Sequence, residues 1–274
     1  MKRAILLGTT GTAVAVAMLA GGFLAGQPQP AIAKDTPSAA VTIASADTLD
    51  RKAVETIIRE YLLANPELLQ EVQQALDAKQ KEEQRVAQQT IISDAKDKIF
   101  KSAHDGVVGN PNGKVTIVEF FDYNCGYCKR AIEDMQAMTA ADPELRFVLK
   151  EFPILGPDSQ KASVVSMAFH NLMPEKYGEF HNQLLGAHGR AGEATAVKIA
   201  VSLGADEAKL REAMKDPKIN DIFTETYDLA NKLSITGTPS YVVGNEVVFG
   251  AQGRDLLTDK VAVAKAACAA SAAC

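Results

Sequence analysis

The sequence has no block of basic residues, and this absence excludes one broad class of partner. It carries 29 lysines and arginines against 34 acidic residues, which gives a net charge of −5. Proteins that bind nucleic acids or anionic membranes by charge concentrate basic residues in a patch or stripe. We therefore expect no nucleic-acid partner.

Metal-ligating residue types are scarce and scattered. Met135 and Met138 form the single M-x-x-M pair and the other methionines are scattered, while the four histidines are isolated from one another: His104, His170, His181 and His188. A structural zinc usually needs two ligand pairs with tight spacing. Cu(I) prefers soft sulfur ligands, so a single methionine pair among otherwise scattered methionines disfavours a dedicated copper carrier, the weakest of the alternatives. We expect no metal site and no cofactor.

Only one hydrophobic run approaches the length of a membrane span. It extends from Ala4 to Gly26 after the basic Lys2 and Arg3, and Ala31-Ile32-Ala33 follows it. This order is typical of a secretory signal peptide, so residues 1–33 are predicted to be removed, with an uncleaved membrane anchor as the alternative. Removal leaves 27 basic residues against 34 acidic ones, a net charge of −7.

The first part of the exported chain reads as a linker and then a helical segment. Residues 34–47 are rich in Ala, Ser, Thr and Pro and have no period, which is typical of a flexible linker. Residues 48–105 show apolar residues at helical spacing, and Asn65-Pro66-Glu67 marks a new helix with Asn as N-cap and Pro at the first position. The stripe stops at the polar run 79–84, which a sustained coiled coil does not tolerate. The apolar side chains of residues 48–102 are more than a lone helical pair could bury, so they need a packing surface: their own domain, a neighbouring subunit, or both.

Residues 106–274 have the pattern of an α/β domain. A strand, a helix and a strand are followed by a helical block and then by a hairpin and a helix. This order predicts an α/β sandwich with an inserted helical unit. The predicted elements are strand Val115–Phe121, helix Cys125 to about Thr139, strand Leu145–Phe152, helices over about 157–232, strands Ser240–Val243 and Glu246–Phe249, and a helix from about Asp255 to Ala270.

Cys125 and Cys128 form a C-x-x-C pair at the predicted start of a helix, where both lie on one face. Unpaired N–H groups and the helix dipole stabilise a thiolate there, which also makes the sulfur a better leaving group. We predict that Cys125 is the exposed attacking sulfur and Cys128 the resolving one, with Asp122 or Asn124 as the helix cap. Half a zinc site and a structural disulfide are the alternatives, although so short a loop gives a disulfide little unfolded-state entropy to remove.

The other two cysteines, Cys268 and Cys274, lie six residues apart in an alanine-rich tail. In a continuous helix they would point to different faces, so pairing requires the helix to end between them. We predict a local structural disulfide, with free or intermolecular thiols as alternatives.

Two segments carry a family resemblance. Phe120–Lys129, which reads FFDYNCGYCK, and Thr238-Pro239 resemble the active-site motif and the Thr-cis-Pro step of the DsbA-like branch of the thioredoxin superfamily. The N-terminal segment with Asn65–Leu69 resembles the suppressor-of-copper-sensitivity protein C (ScsC) type. The resemblance implies a thioredoxin fold with an inserted helical domain, preceded by an N-terminal helical extension. It also implies a periplasmic thiol–disulfide oxidoreductase.

The resemblance further implies roles for single residues. Pro239 is expected beside the cysteines in a cis peptide, with the backbone of Thr238 pairing with an extended substrate. Glu119 is expected as a partly buried acid beneath the active site, with Lys150 on the next strand as its neighbour. A proton relay to Cys128 is one interpretation, and a structural Glu119–Lys150 salt bridge is the other.

The choice between isomerase and oxidase also follows from the resemblance. Gly126-Tyr127 matches the dipeptide of the isomerase DsbC, and Thr238 stands where the oxidase DsbA has valine. This implies a disulfide isomerase or reductase of unfolded or misoxidised exported proteins, kept reduced by a membrane redox partner of the DsbD type. Residues 48–105 would form a homo-oligomerisation arm. The alternative is a dithiol oxidase with a DsbB-type partner.

Overall fold

The computed structural model describes residues 50–270, so the predicted signal peptide and linker lie outside the described residues. The helices are α1 (Arg51–Ala64), α2 (Glu67–Asp94), α3 (Lys96–Phe100), α4 (Gly126–Ala141), α5 (Pro157–Leu172), α6 (Tyr177–Leu185), α7 (Glu193–Ser202), α8 (Glu207–Ala213), α9 (Lys218–Lys232) and α10 (Arg254–Ala270). The strands are β1 (Gly106–Gly109), β2 (Val115–Phe121), β3 (Leu145–Glu151), β4 (Ser240–Val243) and β5 (Glu246–Phe249). None of the helices described is long and apolar enough to cross a membrane.

Within residues 50–270, five strands form one sheet in the order β1-β3-β2-β4-β5. The β2–β3 pair is parallel and the other pairs are antiparallel. Both central strands are buried at every position but one, because both of their faces are covered. Since β2 lies in the middle, its carboxyl end delivers the chain to Cys125 at the centre of one sheet edge. Helices α5 to α9 lie between β3 and β4, which confirms the predicted helical insertion.

Alternate residues of β2 enter two different hydrophobic clusters, as the period of a strand requires. Ile117 and Phe121 belong to the larger cluster, which includes side chains of α4 to α6 and of α10. Val118 and Phe120 belong to a smaller cluster on the other face, where α2, α3 and α9 contribute apolar side chains. The two faces of the sheet are therefore covered by different parts of the chain.

Strand β1 is absent from the sequence-based prediction. It has only two apolar residues between Gly106 and Gly109, and it pairs antiparallel with β3. A Cβ on Gly106 would lie 1.7 Å from the Tyr177 ring, so this position requires glycine. The strand is fixed by its neighbours, because its own pattern is too short to show a period.

The N-terminal helical segment divides into an exposed part and a packed part. Helix α2 runs without interruption through the polar run 79–84, and Pro66, which has helical dihedral angles, is its N-cap in place of the predicted Asn65. The Gln88 side chain donates a hydrogen bond to the carbonyl oxygen of Leu233, at 2.8 Å. Ile92 and Ile99 are buried in the smaller cluster. The predicted boundary at residue 105 therefore cuts through one hydrophobic core.

Candidate active site

Cys125 is the N-cap of α4, with extended backbone angles, and Gly126 is the first helical residue. Cys128 lies one turn further along the helix, as predicted. Neither Asp122 nor Asn124 caps this helix, because Cys125 itself occupies the N-cap position. The backbone N–H groups of Tyr127 and Cys128, in the first turn, bond to the Cys125 sulfur and help to lower its pKa.

The two thiols are both free and differ in accessibility and proton affinity. Cys125 is 6% exposed and Cys128 is not exposed at all, so the predicted attacking sulfur is the more accessible one, although only slightly. A hydrogen bond from Cys128 contributes most to lowering the pKa of Cys125 to about 5. Burial first, and then the hydrogen bond to Cys125, raise the pKa of Cys128 far above its ordinary value. At neutral pH Cys125 is therefore a thiolate and Cys128 a thiol.

The Thr238–Pro239 peptide bond is cis and lies beside Cys125. The Cys125 Sγ is 3.1 Å from the carbonyl oxygen of Thr238. The carbonyl of Pro239 accepts a hydrogen bond from Gly250 N–H at 2.9 Å, which ties this step to the end of β5. The fold thus brings together two motifs separated by more than 100 residues.

Glu119 lies on β2 beneath the cysteine pair and is completely buried. Its Oε2 has no hydrogen-bond partner among the described residues. Burial, and then the charge of Cys125, raise the pKa of Glu119 to about 8. The Glu119 charge in turn raises the pKa of Cys128, so the carboxyl group and the resolving thiol are electrostatically coupled.

The expectation that Lys150 is the neighbour of Glu119 is wrong. In the β2–β3 register Glu119 is opposite Leu149, and Lys150 is opposite Phe120, so the two side chains leave the sheet on opposite faces. The Lys150 ammonium forms a buried ion pair with Asp105 at 2.6 Å. The Glu119–Lys150 salt bridge is therefore excluded.

A second buried carboxylate, Glu151, was missed by the sequence analysis. Its oxygens accept hydrogen bonds from Ser163 at 2.7 Å and Ser166 at 2.5 Å, both on α5. Burial raises the pKa of Glu151 to about 7, and these hydroxyl bonds oppose the rise. Glu151 thus joins the sheet to the helical insertion, and no motif in the sequence marks it.

Tyr127 and the tail cysteine complete the predicted site residues. Tyr127 is 60% exposed, and the Arg130 guanidinium lies 4.4 Å from the centre of its ring. The exposed ring therefore presents an apolar surface directly beside the thiols.

Cys268 is disulfide-bonded, whereas Cys274, its predicted partner, lies outside the described residues.

The family follows from comparison with known proteins. The DSBA-like thioredoxin domain model matches residues 116–262, which is more than half of the chain. The chain belongs to the DSBA-like thioredoxin domain family. Residues 50–83 match the copper resistance protein ScsC N-terminal domain, so the exposed helices have a family match of their own.

Solved structures of this family share the fold. A thioredoxin-like oxidoreductase from Silicibacter pomeroyi is 40% identical with a TM-score of 0.59, covering 62% of this chain and 96% of that one. ScsC of Proteus mirabilis, in a transitional conformation, is 27% identical with a TM-score of 0.59, covering 78% of this chain and 96% of that one. The second match extends into the N-terminal helices.

The matches with curated relatives span a smaller share of those proteins' length. The thiol:disulfide interchange protein DsbA of Bordetella pertussis is 28% identical over 137 residues, which are 48% of this chain and 64% of that protein. The chain spans about a quarter or less of the Salinispora Na⁺/H⁺ antiporters that it also matches.

Proposed function

We propose that this protein isomerises or reduces disulfides of unfolded or misoxidised exported proteins through Cys125 and Cys128. The observation that carries the proposal is the opposite shift of the two thiol pKa values. The Cys125 sulfur is ionised, which makes it a nucleophile and a good leaving group, whereas the Cys128 sulfur stays protonated until it resolves the mixed disulfide.

The reaction begins when the Cys125 thiolate attacks one sulfur of a substrate disulfide. A mixed disulfide forms, and the other substrate sulfur leaves as a thiolate. In isomerisation a substrate thiolate attacks the mixed disulfide, forms a new substrate disulfide and regenerates the Cys125 thiolate, with no net change in oxidation state. In reduction Cys128 loses its proton, attacks Cys125, and the substrate leaves with two electrons as a second thiolate.

Glu119 is the proposed acceptor of the Cys128 proton. Part of the rise in the pKa of Glu119 comes from the negative charge of Cys125. The mixed disulfide removes that charge, so the pKa of Glu119 falls and the carboxyl group loses its own proton at the stage when it must accept that of Cys128. A carboxylate poised in this way performs general base catalysis.

The choice of isomerase or reductase over oxidase is supported by Gly126-Tyr127, by Thr238 and by the N-terminal helices. These helices present large exposed apolar side chains, including Leu69, Val72 and Leu76. A stripe of this kind is typical of an interaction surface, and we assign it to homo-oligomerisation that holds substrate between catalytic domains. We place the protein in the periplasm, with re-reduction by a membrane partner of the DsbD type.

A dithiol oxidase is the second candidate, and one observation favours it. A Cys125 pKa of about 5 stabilises the reduced form of the enzyme. A stabilised reduced form makes the corresponding disulfide a stronger oxidant of other thiols. In that case the re-oxidising membrane partner would be of the DsbB type.

Refolding of scrambled-disulfide ribonuclease tests the proposal. We expect the mature protein to restore ribonuclease activity and Cys125→Ser to abolish the effect. No recovery, together with rapid oxidation of a reduced dithiol peptide, would establish the oxidase instead.

A further inference from the structure

The loop between α6 and α7, residues 186–192, is held from both ends of the cysteine motif. Asn124, directly before Cys125, accepts a hydrogen bond from Ala191 N–H at 2.7 Å and donates one to the Ala191 carbonyl at 2.8 Å. Lys129, directly after Cys128, donates from Nζ to the carbonyls of Ala187 at 2.8 Å and Gly189 at 3.2 Å. These bonds all reach the main chain of the loop, so they fix its backbone whatever its side chains are.

The Asn124 side chain is itself locked in place by a buried polar ring. Asp122 Oδ1 accepts hydrogen bonds from Asn124 N–H and from Ser159 Oγ, both at 2.7 Å. The Asn124 amide also donates to Ser159 Oγ at 3.0 Å, which closes the ring. Asp122 Oδ2 accepts from Leu155 N–H at 2.9 Å, so two loops of the helical insertion converge on the residues before Cys125.

The outer side of the loop faces solvent around the thiols. His188, Gly189 and Arg190 are exposed. The Arg190 guanidinium donates to the Asp158 carboxylate at 2.7 Å and to the Leu155 carbonyl at 3.0 Å. These bonds join the loop to Leu155, whose apolar side chain is exposed, as that of Tyr127 is. The surface beside Cys125 is therefore preorganised before a substrate binds.

We propose that Asn124 and Lys129 are positioning residues that hold this loop as a fixed wall of the site for protein substrates. The inference rests on the proposed function. A polypeptide that brings its disulfide to Cys125 must lay flanking residues on the surrounding surface, whereas a small disulfide needs only the sulfur. A preorganised wall reduces the ordering that binding requires. We call the hydrogen bonds from Asn124 and from Lys129 to the loop its two clamps. Loss of either clamp raises KM for protein substrates and leaves kcat and the reaction with small disulfides unchanged.

The test compares Asn124→Ala and Lys129→Met with Lys176→Met in the full-length protein. Lys176 is the matched control, because its Nζ also donates to a backbone carbonyl, that of Leu203 at 2.7 Å, away from the motif. Insulin reduction measures kcat and KM for a protein disulfide, and a small aromatic disulfide reports on Cys125 alone. We expect both clamp variants to raise KM for insulin by about tenfold, the scale of losing a hydrogen bond to a charged or buried group. Lys176→Met should match wild type, and Lys129→Arg, which keeps charge and donors, should restore KM.

Comparing the two clamp variants separates the effect of releasing the loop from the effect of charge, because only Lys129→Met changes the charge near Cys125. Equal losses with insulin and the small disulfide would show that these residues act on the cysteine chemistry, and an unchanged KM in both variants would show that the wall is not used. Either result overturns the proposal. Hydrogen exchange of the Ala191 amide gives a readout without activity, because Asn124→Ala removes its acceptor and should accelerate exchange. Unchanged exchange also overturns the proposal. Wild type that reacts with the small disulfide but with no protein disulfide would instead contradict the proposed function.

Discussion

Glu119 and Lys150 lie on adjacent parallel strands, one step out of register, and their side chains point to opposite faces of the sheet. Lys150 is neutralised by Asp105 on its own face. Glu119 therefore has no cation to hold its proton affinity down, and burial raises its pKa to about 8. Glu119 and the Lys150–Asp105 ion pair are thus independent of each other, and each can be tested by its own substitution.

Replacing Glu119 with glutamine should slow the step in which Cys128 resolves the mixed disulfide. Loss of a positioned general base typically reduces such a step by about 10²-fold or more. Rapid-quench measurement of mixed-disulfide decay should show this loss, together with disappearance of a pH inflection that lies below 8, because the mixed disulfide lacks the Cys125 charge. Decay at the wild-type rate would remove Glu119 from the mechanism.

The same substitution should change the pH dependence of stability. The folded-state pKa of Glu119 is about 8, against an ordinary value of 4.5, so the folded protein keeps a proton that the unfolded chain has lost. The Glu119 contribution therefore makes the free energy of unfolding fall as pH rises from about 4.5 to 8. Glu119→Gln should lack this decline in denaturant titrations across that range.

Lys150→Met should destabilise the protein without affecting the thiols. It leaves the Asp105 carboxylate buried and unpaired, which costs about 3–5 kcal/mol. Adding Asp105→Asn should recover much of the loss. Lys98→Met, which breaks the exposed pair with Glu225, is the control and should cost no more than about 1 kcal/mol. A change in the Cys125 pKa of Lys150→Met would contradict the separation of the two faces.

Cys128→Ala should raise the pKa of Cys125, because the Cys128 hydrogen bond is the largest cause of its low value. Alkylation of wild-type Cys125 should follow an inflection near pH 5, and the inflection should move to higher pH in the variant. A depressed pKa contributes stability that is present above the unfolded value and lost as pH falls through about 5. An inflection at the same pH in both proteins would assign the shift to Thr238 and the helix terminus.

The exposed stripe of α2 should control assembly. Leu69→Lys and Val72→Lys introduce charge at apolar side chains that are 59% and 57% exposed, whereas Val263→Lys does so on α10, at 62% exposure. Light scattering should give a smaller species for the α2 variants only, with loss of ribonuclease isomerisation and retention of the small-disulfide reaction. An unchanged mass would refute the oligomerisation arm.

A truncation that tests the same arm must end near residue 83. Deleting residues 34–83 removes the exposed helices, whereas a deletion that continues to residue 104 also removes Ile92 and Ile99 from the core. We expect a folded monomer from the shorter deletion and a much less stable protein from the longer one, as thermal unfolding can measure.

Elements with a clear period or strong punctuation could be predicted from the sequence. The β2 run, the helix that begins at the C-x-x-C pair, and the Gly244-Asn245 hairpin all appear where local pattern places them. Strand β1 could not be predicted, because two apolar residues between glycines show no period. The packed end of α2 was missed because burial of Ile92 depends on what covers it and not on its spacing.

The sequence by itself determined the position of the chemistry we propose: a cysteine pair at a helix start, with one sulfur at the helix terminus and the other one turn further along. Local spacing suffices for this, because the helix terminus and the thiols belong to one short segment. Tertiary structure alone decided the partners of the buried charges. Lys150 pairs with Asp105 and not Glu119 because a one-residue step in strand register sends a side chain to the other face of the sheet. It also decided that Asn124 and Lys129 reach a loop some 60 residues away along the chain, since such contacts depend on how the insertion packs and leave no mark in local sequence.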